Sequence, residues 1–226
     1  MDGRRREPKG TPRGGRFAKG PSGGVDASDL AETDFGGMFD GVDWTDAGVA
    51  PGGSRRFREV RGPEGARLFH DRIAELKRSN PFAAAVDVHS AEEYAHCRLF
   101  LTGNGHAGFA LADGDMLVSV FSYRGEHAGD DIVAKAVEQG ARRLDCYDIR
   151  GGLPRLYGRH GFKPVATVDW NDDYAPDGWD YGTFGRPDVM AMAVTDDTPE
   201  PVGHVDYDTA VRLAADVARG GRRSDA

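Results

Sequence analysis

Leu153-Pro154-Arg155-Leu156-Tyr157-Gly158-Arg159-His160-Gly161-Phe162 is the stretch on which the reading of this chain turns. It predicts a short helix over 153–160 that carries Tyr157 and stops at Gly161, with Phe162 leading into a strand at 164–170. Upstream, Arg143–Tyr147 reads as a strand. Before it, Ile132, Val133, Ala136 and Val137 form a helical stripe ended by Gly140. A loop at 123–129 introduces that helix. Further back, the apolar runs 97–102, 108–112 and 116–122 are separated by Gly103-Asn104-Gly105 and Asp113-Gly114-Asp115. Asn-Gly and Asp-Gly between apolar runs mark tight hairpins, so these three strands form an antiparallel meander. Phe69, Ile73 and Leu76 place a helix at 66–78, and Ser90 with Glu93 is a capping box for a short helix at 91–96. Downstream come an excursion at 171–187, a last strand at 188–194 and an amphipathic helix at 206–219.

The 226 residues allow one ordinary domain with tails, or two small ones. A hydrophobic content of 39% with 32 glycines leaves part of the chain without enough apolar surface to offset the entropy of ordering. That part is expected at 1–62, as a disordered tail. Residues 1–20 hold seven Lys or Arg against two acids, and residues 25–50 hold seven acids and no basic residue. Phe35, Met38, Phe39 and Trp44 are its candidates for docking. The folded domain is expected at 63–200, with a helix and tail over 201–226. Net charge is −8 and the acidic block can neutralise the basic arm in the same chain, so a nucleic-acid partner is not expected. Cys97 and Cys146 read as buried free thiols, which suits a reducing cytoplasm. No apolar run nears the roughly 20 residues that span a bilayer, and no apolar core follows the first arginines as a secretory signal would require.

The succession of helix, helix, three-strand meander, helix, strand, helix and two strands, over about 66–194, resembles the GNAT acyltransferase superfamily. Leu156-Tyr157-Gly158-Arg159-His160-Gly161-Phe162 is similar to that family's Leu-Tyr-x-x-x-Gly-Phe segment. The family's CoA-binding loop reads Arg/Gln-x-x-Gly-x-Gly/Ala. Here Arg124-Gly125-Glu126-His127-Ala128-Gly129 matches at Arg124 and Gly129, and His127 replaces the middle Gly. Residues 170–179 and 185–189 resemble divergent GNAT-like domains of actinobacterial phage and prophage proteins, and Pro8–Ala18 resembles a short motif at the ends of such proteins. The resemblance implies an α/β fold with a mixed sheet and acetyl-CoA as cofactor. It also implies cofactor binding by Arg124, Gly125, His127 and Gly129, and Tyr157 as the acid that protonates the departing thiolate. The host cytoplasm or a virion is then the expected setting.

The residues themselves temper this. A diphosphate cradle needs backbone N–H groups at a helix start, with glycine where the chain must pass close to phosphate. Residues 124–129 stand in that place, but Glu126, Asp130 and Asp131 add three carboxylates that cap a helix well and repel an anion. Tyr157 reads either as a proton donor or as a half-buried aromatic packed on the sheet. For a base, the strand 116–122 offers no carboxylate, which leaves His127, Asp145, Asp148 or the acids of 172–180. The excursion 171–187 sets aromatics beside carboxylates, an arrangement suited to a cation. Asp173, Tyr174 and Trp179 are its acceptor-binding candidates, and the alternative is a long loop pinned to the sheet by its aromatics. Neither paired His/Cys spacing for a metal nor a phosphate-loop or nucleophile-elbow motif is present. Two functions stay open. One is an N-acyltransferase acting on a cationic amine, either a small molecule or a protein lysine or N-terminus. The other is a non-catalytic module of this fold that binds a partner such as a phage structural protein.

Overall fold

The computed structural model describes residues 37–80, 83, 85, 86 and 88–221. A hairpin comes first, with β1 (Asp43–Val49) antiparallel to β2 (Arg56–Arg61). Helices α1 (Gly62–Ser79) and α2 (Ala91–Tyr94) follow. The meander is β3 (Arg98–Thr102), β4 (Ala107–Ala112) and β5 (Met116–Ser122). Then come α3 (Gly129–Glu138), β6 (Arg143–Tyr147), α4 (Gly152–Gly158) and β7 (Phe162–Val168). The short α5 (Tyr181–Phe184), β8 (Val189–Val194) and α6 (Tyr207–Gly221) complete the order. The strands form one mixed sheet, β1-β2-β3-β4-β5-β6-β8-β7, in which β6 is parallel to β5 and β8 runs antiparallel between β6 and β7.

Alternation along the strands divides the core into two layers. Phe100, Phe109, Leu111, Leu117, Leu144 and Met192 face α3 and α4. Leu99, Leu101, Ala110 and Phe121 face α1 and α2, where Phe69 packs edge-on to Tyr94 at 4.9 Å and to Phe121 at 5.6 Å. Ala166 and Ala191 receive α6 through Ala210 and Ala214, small residues that let helix and sheet approach closely. The capping box forms as read. Glu93 N–H donates to Ser90 Oγ at 3.2 Å, and Ser90 N–H donates to Glu93 Oε2 at 2.8 Å.

A disordered tail over 1–62 is corrected for its second half, because residues 43–61 are the hairpin β1–β2. Strand β1 is an edge strand with most side chains exposed, so no alternation marks it. Its order comes from β2, which pairs with β3 and buries Phe57 in the layer of α3 and Val60 in that of α1. Phe39 and Trp44 clamp the Arg58 guanidinium from 4.4 and 4.3 Å, so these aromatics pack on their own domain. Residues 1–36, with Phe35 and the Pro8–Ala18 motif, lie outside the described residues.

Candidate active site

Parity breaks in the middle of β5. Leu117 and Val120 belong to the layer of α3, whereas Val118 and Phe121 belong to that of α1. Strict alternation would have put 117 and 121 on one side. The cause is a bulge: Gly108 pairs Phe121 while Ala110 pairs Val118, so two residues of β5 oppose one of β4. Ser119 sits in the bulge with φ +50, and its Oγ lies 2.9 Å from the Oη of buried Tyr94. A bulge bends its strand. Accordingly β5 and β6 share two ladder pairs, Met116↔Arg143 and Leu117↔Leu144, among the described residues, and then part. A wedge opens between 118–122 and 145–147. Nothing in the sequence marks this, since a left-handed serine in an apolar run has no signature.

The loop 123–129 leaves the end of β5 and enters α3 beside the wedge. Gly125 (φ +92) and His127 (φ +51) both have left-handed backbones. The loop thus keeps its turn with histidine at the middle position, at some cost in strain. Arg124 and His127 are exposed. Gly129 opens α3 where a Cβ would come within 3.2 Å of Leu156, so the residue before Tyr157 lies against the helix start. In this way the structure gathers Arg124, Gly125, His127 and Gly129 at one helix head, with the helix of Tyr157 beside it.

The carboxylates at that head are all engaged. Asp130 accepts from Arg159 Nε at 3.1 Å and Nη2 at 2.9 Å, and its Oδ1 lies 3.1 Å from His160 Nε2. The Arg159 hydrogen bonds, then His160, hold its carboxyl below the ordinary range. Asp131 Oδ2 accepts the Arg55 backbone N–H at 3.3 Å and its guanidinium at 3.1 Å. Glu126 Oε1 accepts from Asn104 Nδ2 at 3.0 Å and lies 3.1 Å from His106 Nδ1, while its backbone carbonyl accepts from Arg55. The head of α3 as arranged does not fit a diphosphate. Arg55, from the tip of the β1–β2 hairpin, is already there, neutralised by Asp131 and Glu126.

Tyr157 is 5% exposed and packs edge-on to Phe162 at 6.0 Å. Burial, with Cys146 and Asp145 beside it, raises its pKa well above that of an ordinary phenol. It is protonated at any physiological pH and is a weaker acid than a free tyrosine. Of the candidate bases, Asp145 accepts from Tyr207 Oη at 3.2 Å, and Asp148 accepts the Gly151 N–H at 2.8 Å in the turn into α4.

The excursion 171–187 folds on itself. Trp179 is buried, tilted against Trp170 (4.9 Å), Tyr147 (5.0 Å) and Phe184 (5.0 Å), with Nε1 donating to the Gly185 carbonyl. Asp172 binds Arg186 and Trp170, and Asp180 caps α5. Tyr174 is 82% exposed and Asp173 is exposed, so Asp173, Tyr174 and Trp179 do not line one surface. A cleft of about 660 Å³ lies between the end of α1 and this excursion, lined by Lys77, Arg78, His89, Pro176 and Asp177. Its charge is mostly positive. Among the described residues, no three His, Cys, Asp or Glu are placed to hold a metal ion, and no helix is long and apolar enough to cross a membrane.

No protein-family model matches the chain, and no curated protein matches its sequence. Solved structures do align with it. An acetyltransferase of the GNAT family from Streptococcus pneumoniae is 19% identical over 60% of this chain and 95% of its own, with a TM-score of 0.40. A candidate phosphinothricin N-acetyltransferase is 15% identical over 57% and 94%, with a TM-score of 0.40. The candidate acetyltransferase yncA from Salmonella typhimurium, solved with acetyl-CoA, is 15% identical over 58% and 94%, with a TM-score of 0.34. These three neighbours of the mixed α/β chain are acetyltransferases or candidates for that activity.

Proposed function

We propose that the chain is an N-acyltransferase that uses acetyl-CoA as donor and an amine as acceptor. The observation that carries this reading is the wedge. A bulge at Ser119 parts β5 from β6 beside a glycine-bearing loop, the head of α3 and the helix of Tyr157. An extended, amide-bearing ligand can lie between parted strands as an added strand would. The acceptor is a cationic amine met by the exposed acids of the excursion, Asp173 and Asp177. The basic cleft around Lys77 and Arg78 suits an anionic group elsewhere on the same acceptor. The test is release of free thiol from acetyl-CoA in the presence of a polyamine, an aminoglycoside and a lysine peptide. Turnover with any of them supports the reading, and none with all three at millimolar donor counts against it.

A second reading keeps the fold without the chemistry, as a binding module such as a phage virion component. It is favoured by the filled head of α3 and by the weak acidity of Tyr157. Tyr157→Phe separates the two: an enzyme that relies on this phenol loses turnover, whereas a packing residue loses only stability.

A further inference from the structure

Tyr94 ends α2 and is fully buried. Its ring packs edge-on to Phe69 at 4.9 Å and to the His89 ring at 5.6 Å. Packing of this kind needs no hydroxyl, and a buried phenol calls for polar partners of its own. Tyr94 finds them on two sides. Its Oη accepts the His89 backbone N–H at 3.3 Å and lies 2.9 Å from Ser119 Oγ. His89 lines the cleft of Lys77 and Arg78, and Ser119 is the residue of the bulge. One oxygen therefore joins a wall of the cleft to the strand that opens the wedge.

The bulge needs such support. Ser119 holds φ at +50, a backbone that costs a non-glycine residue about as much as one neutral hydrogen bond returns. Residues of this kind persist only where their surroundings fix them. Across the ladder, Gly108 of β4 pairs with Phe121 and leaves its ring room, since an added Cβ would stand 2.9 Å from Phe121 Cε1. Strand β4 thus permits the bulge, and Tyr94 reaches it from the helix layer. We propose that Tyr94 is a positioning residue: its hydroxyl holds Ser119 left-handed, and so keeps β5 bent away from β6 and the wedge open beside the cleft. What the wedge binds rests on the acyltransferase reading; the hold of Tyr94 on the bulge does not.

Tyr94→Phe keeps the ring and removes only the hydroxyl, and Ser119→Gly supplies a residue that is left-handed without strain and needs no hydroxyl to hold it. The experiment compares wild type, both single variants and the double variant. Backbone NMR shifts are read over 117–122 and 145–147, and acetyl transfer is read with the three amine acceptors named above. The positioning role predicts that Tyr94→Phe moves the Ser119 signals out of the left-handed range and perturbs 145–147 across the wedge. It predicts a fall in kcat/KM for acetyl-CoA of about tenfold or more, and recovery of shifts and rate when Ser119→Gly is added. A tyrosine that only packs would cost stability, and glycine in a strand would cost more instead of rescuing it. Unmoved Ser119 signals in Tyr94→Phe, or a double variant no nearer to wild type than Tyr94→Phe, overturn the proposal. Shifts that move and recover while none of the four proteins turns over keep the role of Tyr94 and count against the acyltransferase reading. Where Tyr94→Phe does not fold, Ser119→Ala removes the same bond from its other end; it should move the same signals, and unmoved signals overturn the proposal.

Discussion

Gly53→Ala asks, with one methyl group, whether the hairpin tip rests on α3. Its backbone is not left-handed, so alanine is conformationally acceptable there. In free space the change stabilises a chain by about 0.4–1 kcal/mol, by restricting the unfolded state. Here the new Cβ would stand 2.7 Å from Asp131 Cγ, so the carboxylate must withdraw from Arg55. What is lost is one guanidinium bond and one backbone N–H bond to a charged acceptor. The Arg55 and Asp131 side chains keep 29% and 15% of their exposure. Bonds to charged groups contribute about 1.5–3 kcal/mol when buried, and partial hydration lowers this to about 1–2 kcal/mol. Set against the gain of about 0.4–1 kcal/mol, the net loss is about 0–1.6 kcal/mol, and at 2–4 °C per kcal/mol for a domain of this size Gly53→Ala should lower Tm by at most about 6 °C. In an Asp131→Ala background the obstacle is gone, and the same change should raise stability slightly. The double-mutant cycle, read by urea denaturation, should therefore give a coupling of about 1–2 kcal/mol with a change of sign. Equal effects in the two backgrounds would refute the contact.

Lys135→Met keeps the methylene packing of this buried side chain but drops its bond to the Ala47 carbonyl. It should loosen β1 by about 1–3 kcal/mol, seen as faster hydrogen exchange along 43–49 and not along β4. Burial pushes the Cys146 thiol up to about 12, so Ellman's reagent at pH 8 should reach it only on unfolding; rapid labelling of Cys146 in the native protein would contradict its burial. Asp130 has a pKa depressed by Arg159 and His160. Its contribution is present above the unfolded carboxyl value of about 3.9 and is lost as pH falls through the lower folded value. Arg159→Gln should accordingly flatten the acid limb of Tm against pH below about 4, and an unchanged limb would show that this exposed pair does not form. His127→Gly relieves a left-handed histidine and should add about 1 kcal/mol, against a loss if the imidazole holds the loop.

What the sequence disclosed follows from how local each signal is. The Ser90/Glu93 box, the Asn104-Gly105 and Asp113-Gly114 turns and the Gly161 stop act within four residues, and each stands where it was expected. The stripe Ile132, Val133 and Ala136 likewise located α3. The hairpin β1–β2 escaped because β1 buries almost nothing of its own and depends on a partner. The bulge escaped because left-handed Ser119 carries no residue preference, although it reverses the faces of half of β5. At the candidate site, the acids 126, 130 and 131 were visible as a conflict with an anion. Arg55, the partner of Glu126 and Asp131, lies 76 residues from Asp131 in the chain, and pairing at that distance is a property of the fold. The aromatics of 171–187 were legible as a group, but whether they enclose a ligand or one another depends on packing, and Trp179 is enclosed by its neighbours.

An acyltransferase that uses acetyl-CoA must bind it in the folded state. Denaturation free energy of the full chain across a range of acetyl-CoA concentrations reads this out. A ligand that binds only the folded state adds about 2.7 kcal/mol at a hundred times its Kd. The chain is expected to gain stability along this curve. No stabilisation at millimolar acetyl-CoA would contradict the reading.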